Sequence, residues 1–122
     1  MLVVVESPYA GNVGLNETYA RACLRFVLDE GHAPYASHLL YTQPGVLRDG
    51  VPAEREKGIN AGFEWGAFGD ERWVFLDRGV GDGMIRGIQQ ALDLHQQLRF
   101  YERWTRLEGV VWSFDRRRLV AE

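Results

Sequence analysis

Apolar residues stand at consecutive positions from Leu2 to Val5, and the run breaks into Glu6-Ser7-Pro8-Tyr9 and a polar, glycine-containing loop that reaches Asn16. An unbroken apolar run suits a strand covered on both faces, and Pro8 ends it. With Asn16 read as the N-cap, Tyr19, Ala22, Cys23, Phe26 and Val27 recur at helical spacing until Gly31, which predicts a first helix. Ala33–Leu40 is short, apolar and preceded by a glycine, so it reads as a second strand running into a loop near His38. Strand, helix and strand make a βαβ unit. Tyr41–Gly50 carries Pro-Gly and Asp-Gly pairs and no period, the mark of a long loop and a candidate lid.

Val51-Pro52-Ala53-Glu54 opens a second helix, with Ile59, Phe63, Gly66 and Ala67 on one face. Gly58, Gly62 and Gly66 recur at every fourth position of it. Each costs about 1 kcal/mol against alanine, so a close neighbour is expected there, either a strand or a helix of a second subunit. Arg72–Leu76 reads as the third strand, with Asp77 at its carboxyl end and the loop Arg78–Met84 after it. A third helix follows from about Met84, with Met84, Ile88, Ala91, Leu92 and His95 on its buried side. Leu98–Trp104 reads as a further strand, and Val110–Phe114 as another short one or a docked tail. The pattern predicts an α/β sandwich with a mostly parallel sheet.

A chain of 122 residues fits one core. The net charge of -3 argues against nucleic acid as a partner, although residues 99–122 carry a local excess of arginine that ends in Arg116-Arg117-Arg118. The lone Cys23 excludes an internal disulfide and a multi-cysteine zinc site. No membrane-length apolar run or signal-peptide pattern is present, so the expectation is a soluble, cytoplasmic protein without a membrane partner. No histidine and carboxylate group has metal spacing, and neither a metal nor a cofactor is indicated.

Ligands of open parallel sheets sit beyond the carboxyl ends of the strands, which is where Glu6, Ser7, Tyr9 and Asp77 fall. Glu6 and Ser7 either line such a site or cap the next element, and Tyr9 either contacts a ligand or packs on that element. Gly79, Gly81 and Gly83 precede a helix and present backbone N–H groups suited to a phosphate or a ribose hydroxyl. Asp82 and Met84 flank that turn, where Asp82 has the alternative role of capping the helix. His38, near the same edge, either bonds a ligand or satisfies a neighbouring carbonyl. Glycosidic cleavage calls for paired carboxylates, and Glu6, Asp77 and Asp82 are the acids at the edge.

The motifs Ser7-Pro8-Tyr9-Ala10-Gly11, Asn16 with Tyr19-Ala20, Pro34–Leu47, Val51–Arg55 and Asp77–Met84 resemble the nucleoside 2-deoxyribosyltransferase-like superfamily. More narrowly, they resemble a branch of small phage and bacterial proteins. The likeness spans Leu2 to Trp104, so residues 1–104 are expected to form the superfamily domain and residues 105–122 an extension of it. It implies a flavodoxin-like or Rossmann-like three-layer sandwich, a homodimer or higher homo-oligomer, and a nucleoside or nucleotide at the carboxyl edge. It also implies a glutamate nucleophile soon after the glycine loop, assisted by an aspartate on the preceding helix. Tyr9 and Asp77 match positions that contact sugar and nucleophile, and Ser7, Asn16, His38 and the Gly79–Met84 loop complete the expected ligand set.

The chain departs from that pattern at the nucleophile. Gly83-Met84 is followed by Ile85-Arg86-Gly87-Ile88-Gln89-Gln90, without a carboxylate, and the matching part of the second helix reads Asn60-Ala61-Gly62, without the aspartate. Two functions are therefore expected. One is a transferase or hydrolase of N-glycosides whose acids are Glu6 and Asp77. The alternative is a non-catalytic nucleotide-binding protein, a sensor or sequestering protein. A structural module with a vestigial pocket is a third.

Overall fold

The computed structural model describes residues 1–122. Strands β1 (Leu2–Glu6), β2 (Ala33–Tyr35), β3 (Glu71–Phe75), β4 (Gln97–Glu102) and β5 (Thr105–Leu107) form one sheet in the order β2-β1-β3-β4-β5. All pairings are parallel except β4 with β5. Helices α1 (Val13–Asp29), α2 (Ser37–Leu40), α3 (Pro52–Gly66) and α4 (Asp82–Asp93) connect the strands. The last two strands, β6 (Val110–Ser113) and β7 (Arg118–Ala121), pair as a separate antiparallel hairpin. The result is a three-layer α/β sandwich with the flavodoxin-like strand order.

Alternation along the central strands separates the two faces of the sheet. Val3, Val5, Trp73, Phe75 and Tyr101 pack with Cys23 and Val27 of α1, while Val74 and Phe100 pack with Met84 and Ile88 of α4. The β6–β7 hairpin lays Val110, Trp112 and Leu119 over the second cluster. Val4 is paired with Arg72 and Glu6 with Val74. By the same alternation, Glu6 and Arg72 share the α4 face.

Several boundaries differ from the sequence reading. Asn12, not Asn16, caps α1, its Oδ1 accepting the Leu15 N–H. The second strand ends at Tyr35, and Ser37–Leu40 forms a helical turn. The Leu98–Trp104 strand ends at Glu102, because Arg103 and Trp104 take φ of 48° and 62° and turn the chain into β5. Both residues at positive φ is the geometry of the tight turn that matches strand twist.

His95 and Leu92 are exposed, not on the buried side of α4. Leu94 is the C-cap, His95 has φ of 54°, and the N–H groups of Gln96 and His95 bond the carbonyls of Ala91 and Leu92. This paired closure ends the helix and throws the histidine outward. Gly31 ends α1 in the same way, with its N–H on Leu28 and that of His32 on Val27.

The glycine stripe of α3 meets side chains of its own chain, one of them from strand β3. A Cβ on Gly62 would lie 2.6 Å from Ser37 Oγ, and one on Gly66 would lie 2.7 Å from Arg72 Nη2. Gly58 faces Leu47. The small residues therefore admit the α2 turn and a buried guanidinium.

Candidate functional site

The connection leaving β1 leads to α1 on one face of the sheet and the one leaving β3 leads to α4 on the other, so the loops part beyond the carboxyl ends of these neighbouring strands. A cavity of about 250 Å³ lies there. Glu6, Ser7, His38 and Arg72 are among the polar residues at its wall, and Ile59, Phe63 and Met84 are among the apolar ones. Tyr9, Gly81, Asp82 and Gly83 also line it. An open groove beside Gly11, Pro52 and Arg86 shares Tyr9, Arg55 and Asp82 with the cavity.

Glu6 is the most enclosed acid in this lining. Its carboxylate accepts no hydrogen bond from the protein, and its nearest cation is Arg72, with Nη1 3.4 Å from Oε2. Burial pushes the Glu6 carboxyl up to about 7, with Arg72 drawing it partly back. Gly87 of α4 makes room for it, since a Cβ there would collide with the Glu6 carboxylate. A carboxyl group that titrates near neutrality is suited to acid and base chemistry.

Arg72 has only 1% of its surface exposed. Nη1 donates to the Gly87 carbonyl and Nη2 to Gln90 Oε1, both at 2.6 Å, and Gln90 donates onward to the Phe63 carbonyl. Its position does carry a signal in the sequence, since an arginine inside a buried strand requires partners.

Ser7 Oγ lies 2.7 Å from His38 Nε2. Burial lowers the His38 pKa to about 4, so the ring is neutral near pH 7. The remaining acids of the lining face arginines. Glu54 Oε2 is 2.9 Å from Arg48, Asp49 is 3.9 Å from Arg55, and Asp82 is 3.0 Å from Arg117 of the hairpin. Asp82 is the first residue of α4, after an N-cap at Gly81.

Asn16, Asp77 and Gly79 do not line the cavity. Asn16 is buried, and its amide bonds the carbonyls of Tyr9 and Ala10 while accepting from Arg78, which ties down the loop that carries Tyr9. Asp77 stands at the end of β3, as its position in the sequence implied, but its oxygens accept from the Tyr19 hydroxyl and the Arg103 N–H. Gly79, with φ of 86°, turns the chain at the start of the loop. No group of three or more His, Cys, Asp and Glu side chains is arranged to hold a metal ion, and no helix is long and apolar enough to cross a membrane.

The fold is that of an α/β protein with a cavity at the switch point of its sheet, the place where ligands of such folds sit. The chain belongs to the family described as Domain of unknown function (DUF7768), whose model matches residues 1–101. No curated protein matches it in sequence. Among solved structures it is similar to the 2-deoxyribosyltransferase of the psychrotolerant bacterium Bacillus psychrosaccharolyticus, at 14% identity and a TM-score of 0.66. The likeness covers 84% of this chain and 72% of that one, and it establishes a shared fold.

Proposed function

We propose that the protein binds a nucleoside, nucleotide or related N-glycoside in the β1–β3 cavity and breaks its glycosidic bond with the Glu6 carboxylate. The observation that carries this reading is the enclosed carboxyl of Glu6 against Gly87, pushed up to about 7 and free of hydrogen bonds from the protein. The deoxyribosyltransferase-like fold supports the ligand class. In this reading Glu6, carried on β1, does the work of the glutamate that the Ile85–Gln90 segment lacks. Its ionised form attacks or stabilises the sugar carbon as the C–N bond breaks, and the departing base takes a proton from water. A water molecule or a second base then takes the sugar and frees the carboxylate. Ser7 and His38 orient the ligand, Tyr9 lies along it, and the turn at Gly81–Met84 holds ribose or phosphate. Asp77, bonded to Tyr19 and Arg103, supports the edge.

A second reading is a nucleotide binder without turnover, favoured by the arginine partners of Asp49, Glu54 and Asp82, which leave Glu6 without a second unpaired acid beside it. A homo-oligomer and a cytoplasmic location belong to the same proposal. The test is mass spectrometry of the purified protein incubated with a pool of nucleosides, nucleotides and NAD-type compounds. Free base that disappears with Glu6→Gln supports catalysis. Intact ligand retained by both proteins makes it a binder, and neither result leaves the pocket vestigial.

A further inference from the structure

Arg72 occupies an unusual place for a cation. It sits in the middle of the sheet on β3, beneath α3 and α4, and its surface is 1% exposed. Gly66 and Gly87 permit this burial: a Cβ at the first would press on the guanidinium, and one at the second would strike the Glu6 carboxylate. The guanidinium bonds a backbone carbonyl of α4 and the side chain of Gln90, while Nε has no partner. Its one ionic neighbour is Glu6, at 3.4 Å.

Removing a charge from water is costly, and a hydrophobic pair of similar volume would fill the same space without that cost. Stability alone is therefore a poor reason for this arrangement. We propose that Arg72 is a positioning residue: fixed beneath α4, it presents the Glu6 carboxyl to the cavity and balances its charge without touching the ligand.

The geometry separates this role from ligand binding. Arg72 borders the cavity, but both Nη groups are already bonded to α4 and only 1% of the residue is exposed. The other charged groups in the lining belong to different elements and have other neighbours. Glu54 and Arg55 come from α3, Asp49 from the loop before it, and Asp82 from α4, all more exposed than Arg72. His38 of α2 is neutral near pH 7. Arg72 is the charged group whose field acts on Glu6. The inference rests on Glu6 being the functional carboxyl, but its test does not require turnover.

The test follows the Glu6 carboxyl carbon by NMR between pH 4 and 9 in the full-length protein, with Glu6→Gln to assign the signal. Loss of the cation in Arg72→Gln is expected to raise the titration midpoint by about one unit or more, and Arg72→Lys to restore part of it. The guanidinium N–H signals of Arg72 in the unmodified protein provide a reading that does not depend on the variants folding. They are expected to shift with the same midpoint as Glu6. A folded Arg72→Gln protein with an unmoved midpoint, or guanidinium signals that ignore the Glu6 titration, overturns the proposal. If the N-glycoside pool is turned over, Arg72→Lys lowers kcat at least tenfold and changes KM less than threefold. If nothing is turned over while the midpoint still moves, the catalytic reading fails and the role of Arg72 toward Glu6 stands.

Discussion

The Tyr19 hydroxyl donates to Asp77 Oδ2 at 2.7 Å, while Asp77 Oδ1 accepts the Arg103 N–H at 2.8 Å. One carboxylate thus joins α1 to the tight turn between β4 and β5, where Arg103 and Trp104 both have positive φ. Trp104 in turn packs on Tyr19, Phe26 and Phe75. Replacing Asp77 by alanine removes both bonds and frees the turn, a loss of about 2 kcal/mol at about 1 kcal/mol per bond. Urea unfolding should show that loss, and ligand retention in the mass-spectrometric assay should change less than threefold. A selective loss of ligand with unchanged stability would move Asp77 into the binding machinery.

Two groups of the site link stability to pH in opposite directions. Glu6 rises from 4.5 to about 7 on folding, so between these values the folded chain holds a proton that the unfolded chain has released. Its contribution is complete below pH 4.5 and is lost as pH rises through 7. The shift corresponds to about 3 kcal/mol. His38 falls from 6.5 to about 4, so in that window the unfolded chain holds the extra proton and stability is lost as pH falls. Between pH 4.5 and 6.5 the two slopes offset each other, so the parent's stability should be nearly flat there, with small net losses between pH 6.5 and 7 through Glu6 and between pH 4.5 and 4 through His38. In chemical denaturation across pH, Glu6→Gln should therefore expose a loss of stability as pH falls from 6.5 to 4, and His38→Gln one as pH rises from 4.5 to 7.

Gly62 tests the close approach of α2 to α3. Alanine there gains about 1 kcal/mol in helix propensity. Its Cβ would also stand 2.6 Å from Ser37 Oγ and 2.8 Å from Ser37 Cβ. Overpacking of this kind costs about 1–3 kcal/mol, so the clash outweighs the propensity gain. Gly62→Ala should lower the melting temperature and shift the turn that bears His38. Adding Ser37→Gly should recover most of the loss, since it removes both clashing atoms. A single variant as stable as the parent would show that α2 can move aside at no cost.

Trp112 measures the dependence of the core on the C-terminal hairpin. Its ring covers the cluster of Val74, Met84, Ile88 and Phe100 together with Val110 and Leu119. Trp112→Ala should cost about 2–3 kcal/mol, toward the low end for a tryptophan because the side chain is only partly buried. Arg117→Ala, which removes an exposed contact to Asp82, should change stability by less than about 1 kcal/mol. Unfolding curves of the two variants distinguish a docked hairpin from a loosely attached one.

Much of the scaffold was legible because its signals are local. Leu2–Val5 read as a strand from uninterrupted apolar positions and Arg72–Leu76 from the apolar run after its arginine, and Gly31 marked the end of α1 by the positive φ it adopts there. Other elements depended on interactions distant in sequence. Asn16 reads as the helix cap, but in the structure it holds the Tyr9 loop and accepts from Arg78 while Asn12 caps α1. Ser37–Leu40 has the composition of a strand end, yet it turns helical where Gly62 admits it. His95 fits a helical stripe, but the chain closes at Leu94 before reaching it.

By itself the amino-acid order determined the alternation of strands and helices, the glycine turn before α4 and the nearness of Glu6 and Ser7 to the carboxyl edge. These follow from propensity, periodicity and chain direction, which act over a few residues. The tertiary structure alone decided which acids meet the cavity. Glu6 and Asp77 both end strands, yet one lies in the cavity against Gly87 and the other is held by Tyr19 and Arg103. It also decided that Arg72 lies beneath Glu6, because pairing register and the space left by Gly66 and Gly87 are properties of packed elements and not of any single segment.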